Sequence, residues 1–334
     1  MLNQTLANEK SSIALHAEGN RLLNARGEAV RLIGVNCAGL EWRADGDLIL
    51  ERCAMAFDEW KANLIRLPMS QDRWFGYGSD QEDDRSGEAY RSLIDEVMNM
   101  AAERGKYIIL NLQWSDAGVW GQNIKIHNVP DANSVTFWHD AASRYANHPS
   151  VLCGLYNESH DAPWDIWQSG GYVEQEGFPG VGMQTLINTI RNRGAKNLIV
   201  AGGVDWAYDL RGVEEHPLAD RGGNGIMYDS HVYPWKPAPY EKYIPASLTA
   251  KYPIIIGECG HHGDKENVRE GKQRSPYAEW IPELLAYIDA NSYHACAWDF
   301  HPKAGPCLIA DYEGTPTAHW GVFWKEFLAK HNGP

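Results

Sequence analysis

The stretch Val151-Leu-Cys-Gly-Leu-Tyr-Asn-Glu-Ser-His160 determines how the rest of the chain is interpreted. Its first part, residues 151–156, is short, apolar and rich in branched side chains, and Asn147-His-Pro149 interrupts the chain just before it. Such a run predicts a buried strand of a parallel sheet. The run ends in Asn157-Glu158, and a carboxylate at the end of a buried strand is costly unless it has a partner or a function.

The same pattern occurs again later in the chain. Tyr252-Pro-Ile-Ile-Ile-Gly-Glu258 is a second apolar run that ends in a glutamate. Each glutamate alone could be an ion-pair partner or an ordinary loop residue. Two glutamates at the ends of two buried strands, however, meet the requirement of glycoside hydrolysis, in which one carboxyl is the acid/base and the other is the nucleophile or base.

Strand and helix patterns alternate on both sides of these two runs. Eight strands are predicted, at residues 31–36, 63–68, 106–113, 151–157, 197–202, 225–231, 253–257 and 294–300. Helices are predicted at residues 47–61, 88–104, 134–146, 181–193, 277–290 and 318–329. Alternation of this kind predicts a parallel sheet, and eight repeats predict closure into a (β/α)8 TIM barrel. The fifth unit is the weakest, because residues 204–221 have little helical pattern.

The ends of the chain complete this interpretation. Residues 1–12 are predicted to be a polar tail, and residues 13–334 a single catalytic domain. Residues 16–30 alternate around turn signals and predict a short β-hairpin that closes the bottom of the barrel. The first ten residues lack the charged and apolar regions of a signal peptide. No run approaches the 18 apolar residues of a membrane span.

Composition narrows the class of ligand. The 334 residues carry a formal charge of −14, which argues against nucleic acid and anionic membranes and fits neutral or cationic ligands. Core packing would account for about half of the 14 Trp and 16 Tyr, and the remainder would suit stacking on sugars. No cluster of Cys and His has the spacing of a zinc site, and four cysteines in apolar stretches (Cys37, Cys153, Cys259 and Cys296) are predicted to be buried thiols.

Several motifs together resemble glycoside hydrolase family 5, a family of retaining (β/α)8 glycosidases. The central ones are Leu155-Tyr-Asn-Glu158 and Ile256-Gly-Glu258. The others, in matching order, are Gly34-Val-Asn36, Asn63-Leu-Ile-Arg66-Leu-Pro, His231-Val-Tyr233 and Ala297-Trp298. The resemblance extends from about residue 15 to residue 328. It implies chemistry without a metal or cofactor, and secretion, which is common in the family.

The resemblance implies that Glu158 is the acid/base and Glu258 the nucleophile. Arg66 and the Tyr233 hydroxyl would keep the nucleophile ionised, whereas crowding by a second carboxylate would raise the pKa of the acid. Strand positions place the whole set at carboxyl ends, where barrels carry their active sites. The set is Arg66, Asn157, Glu158, His231, Tyr233, Glu258 and Trp298.

The remaining members of this set would contact the sugar. Asn157 would donate to the 2-hydroxyl, a contact that strengthens in the transition state. Trp298 would form the floor under the reacting sugar, and His231 would lie against the acid/base or the substrate.

Substrate-binding residues are predicted on the loops. Many family members have Asp and His at the end of the third strand, where this chain has Asn111 and Gln113. Gln113 can hydrogen-bond to a sugar but cannot titrate, so the departure concerns subsite preference. Trp42, Trp114 and Trp235 are predicted to contact sugar. Trp120 and Trp164 are further candidates.

The leading hypothesis is a retaining β-glycosidase, specifically an endo-β-1,4-glucanase that acts on an oligo- or polysaccharide by double displacement. A β-mannanase, a mixed-linkage glucanase or an exo-β-glycosidase would use the same chemistry. A carbohydrate-binding pseudoenzyme is the alternative from another class. A barrel isomerase or lyase would need phosphate- or metal-binding residues that are not evident. A monomer is favoured, and the linkage and the mode of cleavage stay open.

Overall fold

The computed structural model describes residues 13–264 and 275–333. Its strands in chain order are β1 (His16–Glu18), β2 (Arg21–Leu23), β3 (Ile33–Asn36), β4 (Leu64–Ser70), β5 (Tyr107–Trp114), β6 (Val151–Gly154), β7 (Gly170–Val173), β8 (Phe178–Val181), β9 (Ile199–Gly202), β10 (Ile226–Val232), β11 (Ile254–Cys259) and β12 (His294–Ala297). Eight of them, β3 to β6 and β9 to β12, close into a parallel barrel. All eight predicted strands are present, and the predicted fold class is confirmed.

Helices connect the barrel strands. They are α1 (Ile49–Asp58), α2 (Gln71–Trp74), α3 (Glu88–Glu103), α4 (Ala132–Arg144), α5 (Trp164–Ser169), α6 (Met183–Asn192), α7 (Ala246–Thr249), α8 (Tyr277–Ala290) and α9 (Gly321–Asn332). In the described chain no helix lies between β9 and β10, in agreement with the weak pattern of residues 204–221.

The hairpin of β1 and β2 closes one end of the barrel, as predicted. Leu15 and Leu22 from the hairpin region pack into an apolar cluster with side chains from inside the barrel, among them Leu64, Leu152 and Ile255. The Tyr107 hydroxyl, at the start of β5, donates to the Ile13 carbonyl oxygen at 2.9 Å. The amino ends of the strands are therefore sealed, and the carboxyl ends form the open mouth.

Some elements were not predicted. The loop after β6 contains α5 and the hairpin of β7 and β8, and Phe178 and Val173 of this hairpin pack on Val129 of the loop after β5. Glu176 at the hairpin tip accepts hydrogen bonds from the His127 ring and the Asn128 backbone N–H. These elements depend on contacts between two loops, so neither loop shows a regular hydrophobic period of its own.

Cys37, Cys153, Cys259 and Cys296 are buried and not disulfide-bonded, as predicted. Within residues 13–264 and 275–333, no helix combines the length and apolar character that crossing a bilayer requires. The predicted tail, residues 1–12, lies outside the described residues. The single catalytic domain over residues 13–334 stays a prediction.

Candidate active site

Strand register brings the predicted residues together at the barrel mouth. Asn36 on β3 is the register partner of Arg66 on β4, and His231 on β10 is the register partner of Glu258 on β11. Neighbouring residues of parallel strands lie side by side, so each pair reaches the same depth of the mouth. Glu158 follows β6 by four positions and approaches from across the barrel.

Glu258 is buried and held by two donors. The Arg66 Nη1 donates to Glu258 Oε1 at 2.7 Å, and the Tyr233 hydroxyl donates to Oε2 at 2.8 Å. Burial raises the pKa of Glu258 above its usual value, while the positive charges of His231 and Arg66 oppose the rise. The two donors engage both carboxylate oxygens and thereby fix the orientation of this side chain.

Arg66 is itself fixed by amide side chains. Its Nη2 donates to Asn157 Oδ1 at 2.7 Å, and its Nη1 also donates to Asn36 Oδ1 at 2.9 Å. The Asn36 amide nitrogen donates to two backbone carbonyl oxygens, those of Gly257 and Ala297. The guanidinium is buried, and this set of contacts allows it one orientation.

Glu158 is only half-buried and contacts His231. Glu158 Oε1 lies 2.9 Å from His231 Nδ1, and Asp229 Oδ2 lies 3.3 Å from His231 Nε2. Burial lowers the pKa of His231, but the negative charges of Glu258 and Asp229 outweigh burial and raise this pKa to about 10. At neutral pH the ring therefore carries a proton on each nitrogen.

The two glutamates are close to each other. One carboxylate oxygen of Glu158, one of Glu258 and a ring nitrogen of His231 all lie within 4.8 Å of one another. Such a spacing could also suit a metal ion, but a doubly protonated imidazole has no lone pair to offer a metal. A metal ion would have to displace a proton from the His231 ring to bind here.

Gln113 and Asn111 lie beside Arg66. The Asn111 amide nitrogen donates to Gln113 Oε1 at 2.8 Å, and the same oxygen is 3.5 Å from Arg66 Nη1. Both side chains are buried. Because its Oε1 is used in this way, Gln113 has its amide N–H groups left to offer a ligand.

The aromatic candidates divide into two groups. Trp42, after β3, and Trp114, at the end of β5, lie on one side of the mouth with their ring centres 6.5 Å apart. Trp235, after β10, stacks on the Tyr233 ring at 4.4 Å. Trp298, after β12, is half-buried, and its peptide bond to Asp299 is cis.

The two further aromatic candidates lie differently. Trp120, in the loop after β5, stacks on Tyr77 with ring centres 5.2 Å apart. Trp164 packs at right angles against Trp167 at 4.9 Å and belongs to the edge of the core. The structure therefore gives Trp164 a packing role.

A cavity of about 360 Å³ opens beside Glu158. Trp206 lines it together with Tyr233 and Trp235. Trp206 is 41% exposed and stacks on His160, with ring centres 3.6 Å apart.

Sequence reasoning did not assign Trp206, Asp229 or Asn36 to the site. Asp229 could have been found, because residues i and i+2 of a strand face the same side and Asp229-Ser-His231 has that spacing. Asn36 could have been found from its place at the end of the first strand. Trp206 had the same signal as the other aromatic candidates, a place just after a predicted strand, but was not selected among them.

A closed parallel barrel with two neighbouring carboxyls at its mouth, one of them held by an arginine and a tyrosine, defines a barrel glycoside hydrolase. The cellulase (glycosyl hydrolase family 5) model matches residues 23–304 of the chain. This protein belongs to glycosyl hydrolase family 5, and it is a glycoside hydrolase.

Individual relatives agree with this family. An endoglucanase from Paenibacillus polymyxa is 25% identical over 335 residues, which cover 87% of this chain and 80% of the relative. The solved structure of the β-glucanase SdGluc5_26A from Saccharophagus degradans superposes with a TM-score of 0.72 at 22% identity, covering 96% and 94% of the two chains. The same enzyme in complex with cellotetraose gives a TM-score of 0.71 at 21% identity, with the same coverage.

Proposed function

We propose that this protein is a retaining endo-β-1,4-glucanase in which Glu258 is the nucleophile and Glu158 the acid/base. The observation that carries this proposal is the separation of the two carboxyls, whose nearest oxygens lie within 4.8 Å. Retaining enzymes hold these groups about 5–5.5 Å apart, whereas inverting enzymes need roughly 6.5–9.5 Å to admit a water molecule.

The reaction proceeds in two displacements. Glu258 attacks the anomeric carbon while Glu158 gives its proton to the leaving oxygen, and the product is a covalent glycosyl-enzyme. In the second displacement a water oxygen attacks the anomeric carbon while Glu158 takes a proton from that water. The bond to Glu258 breaks, and the sugar leaves with a hydroxyl group from water. Arg66 and Tyr233 stabilise the ionised form of the nucleophile. Asn157 contacts the 2-hydroxyl, and Trp298 lies under the reacting sugar.

The position of the aromatic rings supports cleavage within a polymer. Trp42 and Trp114 lie in the quadrant of β3 to β5, whereas Trp206 and Trp235 follow β9 and β10 in the opposite quadrant. A glucan chain that crosses the mouth would contact both groups, with the carboxyls between them. An acidic protein with a neutral polymer substrate also agrees with the net charge of −14.

Relatives support glucan as the substrate. The Paenibacillus polymyxa relative is an endoglucanase, and the Saccharophagus degradans β-glucanase was crystallised with cellotetraose. We therefore expect this chain to act on β-1,4-linked glucose units, and Gln113 to contact the chain through its amide nitrogen.

The direct test is release of reducing sugar from carboxymethylcellulose, mixed-linkage glucan, glucomannan, galactomannan and xylan. We expect the greatest release from carboxymethylcellulose, and its loss in Glu258→Gln and Glu158→Gln. Glu88→Gln, which removes an exposed carboxylate paired with Arg91, is the matched control and should keep full activity. Release from galactomannan alone would instead identify a mannanase, and no release from any polymer would contradict the proposal.

The two glutamates can be distinguished with an aryl β-cellobioside that has a good leaving group. Formation of the glycosyl-enzyme from such a substrate needs no acid, so Glu158→Ala should give a burst of phenol followed by slow turnover. Glu258→Ala should give neither. Proton NMR of the first sugar released by the wild-type protein should show the β-anomer, and an initial α-anomer would exclude retention.

A further inference from the structure

Asp229 is a buried carboxylate that lies behind the proposed catalytic pair. It precedes His231 by two residues on β10, so both side chains point into the barrel. Asp229 Oδ1 accepts the Gly257 backbone N–H at 2.7 Å, and Oδ2 faces His231 Nε2 at 3.3 Å. Its side chain is 4% exposed.

The backbone is shaped to admit this carboxylate. A Cβ atom at Gly257 would lie 2.3 Å from both carboxylate oxygens of Asp229, a distance that no side chain could tolerate. The glycine immediately before Glu258 therefore leaves room for Asp229. This arrangement indicates a built contact between β10 and β11 rather than an incidental one.

His231 lies between acceptors on every side. Its Nδ1 is 2.9 Å from Glu158 Oε1 and 3.6 Å from Glu258 Oε2, while its Nε2 faces Asp229. The other ionisable groups that face this assembly are Arg66 from β4, Tyr233 after β10, Cys259 on β11 and Cys296 on β12.

The protonation of these groups follows from their charges. Burial raises the pKa of the Tyr233 hydroxyl, and it also raises the pKa of both thiols, so these three groups stay neutral. Burial raises the pKa of Asp229, but the charge and hydrogen bond of His231, the charge of Arg66 and the Gly257 N–H together lower this pKa below its usual value. Asp229 is consequently the ionised partner of the imidazolium.

We propose that Asp229 is a positioning residue that acts on Glu158 through His231, an inference that rests on the proposed acid/base role of Glu158. Because the charges of Glu258 and Asp229 together keep both ring nitrogens protonated, Nδ1 donates to Glu158 Oε1 whether Glu158 is neutral or ionised. Oε1 is thus always occupied as an acceptor. Glu158 Oε2 is then the atom that carries the catalytic proton. It gives this proton to the leaving oxygen as the glycosidic bond breaks, and it receives a proton from water in the second step.

Nitrogen-15 NMR of the histidine-labelled wild-type protein tests the first step without any activity assay. The His231 signals, assigned by comparison with His231→Gln, should show an imidazolium at pH 7 and through pH 9. In Asp229→Asn the same ring should titrate at a lower pH, because the amide carries no charge. A neutral His231 ring at pH 7 in the wild-type protein would overturn the proposal, even if Asp229→Asn fails to fold.

Kinetics on a cello-oligosaccharide test the second step. Asp229→Asn should lower kcat by about 10- to 100-fold, the range usual for outer partners that orient a reactive group, and leave KM little changed. Its pH profile should also change, because the His231 ring then loses its charge within the working range of pH. An unchanged pH profile together with wild-type kcat would overturn the proposal.

Asp289→Asn is the matched control. It also removes a carboxylate paired with a histidine, here His331 at 2.9 Å on the outside of the barrel, and it should not change kcat or the pH profile. If the wild-type protein hydrolyses no glucan, the proposed function is wrong, but the NMR result on the protonation of His231 still stands. An active wild-type protein with an unaffected Asp229→Asn variant would defeat the positioning role alone.

Discussion

At the scale of single residues, Tyr233 offers the sharpest test of how the nucleophile is kept ionised. Tyr233→Phe removes the donor to Glu258 Oε2 and leaves Arg66 as the principal donor to this buried carboxylate. Loss of a hydrogen bond to a charged group costs ~1.5–3 kcal/mol, so kcat should fall by about tenfold or more. The pKa of Glu258 should rise further, and the acidic limb of the pH profile should move to higher pH.

The measurement is the pH dependence of kcat/KM on a soluble glucan. Tyr145→Phe is the control, because its hydroxyl also donates to a carboxylate, that of Asp95, but on the outer helices. A Tyr233→Phe profile that coincides with the wild-type profile would show that Arg66 alone is sufficient.

The sequence was most informative about residues at strand ends. Arg66, Glu158 and Glu258 could be placed because each follows a clear apolar run, and barrel geometry brings such positions together. Of the two partners of His231, Glu158 was anticipated and Asp229 was not, although Asp229 has the i, i+2 spacing of one strand face. The register of β10 against β11 also shifts between Asp229 and His231. That irregularity is a property of the closed sheet and leaves no mark in a single strand.

At the scale of elements, the start of helix α4 is determined by residues that are close together in the sequence. The Asp131 carboxylate accepts hydrogen bonds from the Asn133 and Ser134 backbone N–H groups. In return, the Asp131 backbone N–H donates to the Ser134 hydroxyl oxygen at 3.1 Å. The sequence encodes this cap locally, because its two members stand only three residues apart. It placed the start of the helix at residue 134, two residues later than observed, because the capping side chain precedes the first apolar position.

Asp131→Ala should lower the free energy of unfolding by at least ~1 kcal/mol, the usual worth of such a cap. Asp131 also accepts from the buried Gln71 amide, which would lose a partner. Urea unfolding followed by circular dichroism would measure the change. The exposed Asp83→Ala serves as control, and equal stability of the two variants would contradict the assignment.

Elements that depend on contacts with other loops could not be predicted from the sequence. The pair β7 and β8 is held by Phe178 on Val129 and by Glu176 on His127, contacts that join two separate loops. Short elements of this kind form because of tertiary packing rather than local pattern, which is why α5 was also not anticipated.

At the scale of the whole molecule, buried acids should make stability depend on pH. Burial raises the pKa values of Glu41, Asp72 and Asp299 to about 8 each. Between about pH 4 and pH 8 the folded protein therefore retains protons that the unfolded chain has lost. The free energy of unfolding contributed by these groups is complete below pH 4 and falls as the pH rises to 8.

Asp72→Asn isolates one of these contributions. The amide cannot ionise, so the difference in unfolding free energy between the variant and the wild-type protein should shift in favour of the variant from pH 5 to pH 8. Urea unfolding at both pH values provides the measurement, with the exposed Asp83→Asn as control. A difference that is equal at the two pH values would show that Asp72 does not titrate in this range.

The sealed end of the barrel has a practical consequence for attaching this enzyme to surfaces. Ile13 lies on the closed face, and so does Asn332, whose side-chain amide donates to the Ile33 and Lys61 carbonyl oxygens near the amino ends of β3 and β4. A linker joined beyond either residue would leave from the face opposite the mouth. Protein tethered to a bead by either route should present its cleft outward, toward insoluble fibre in the surrounding liquid.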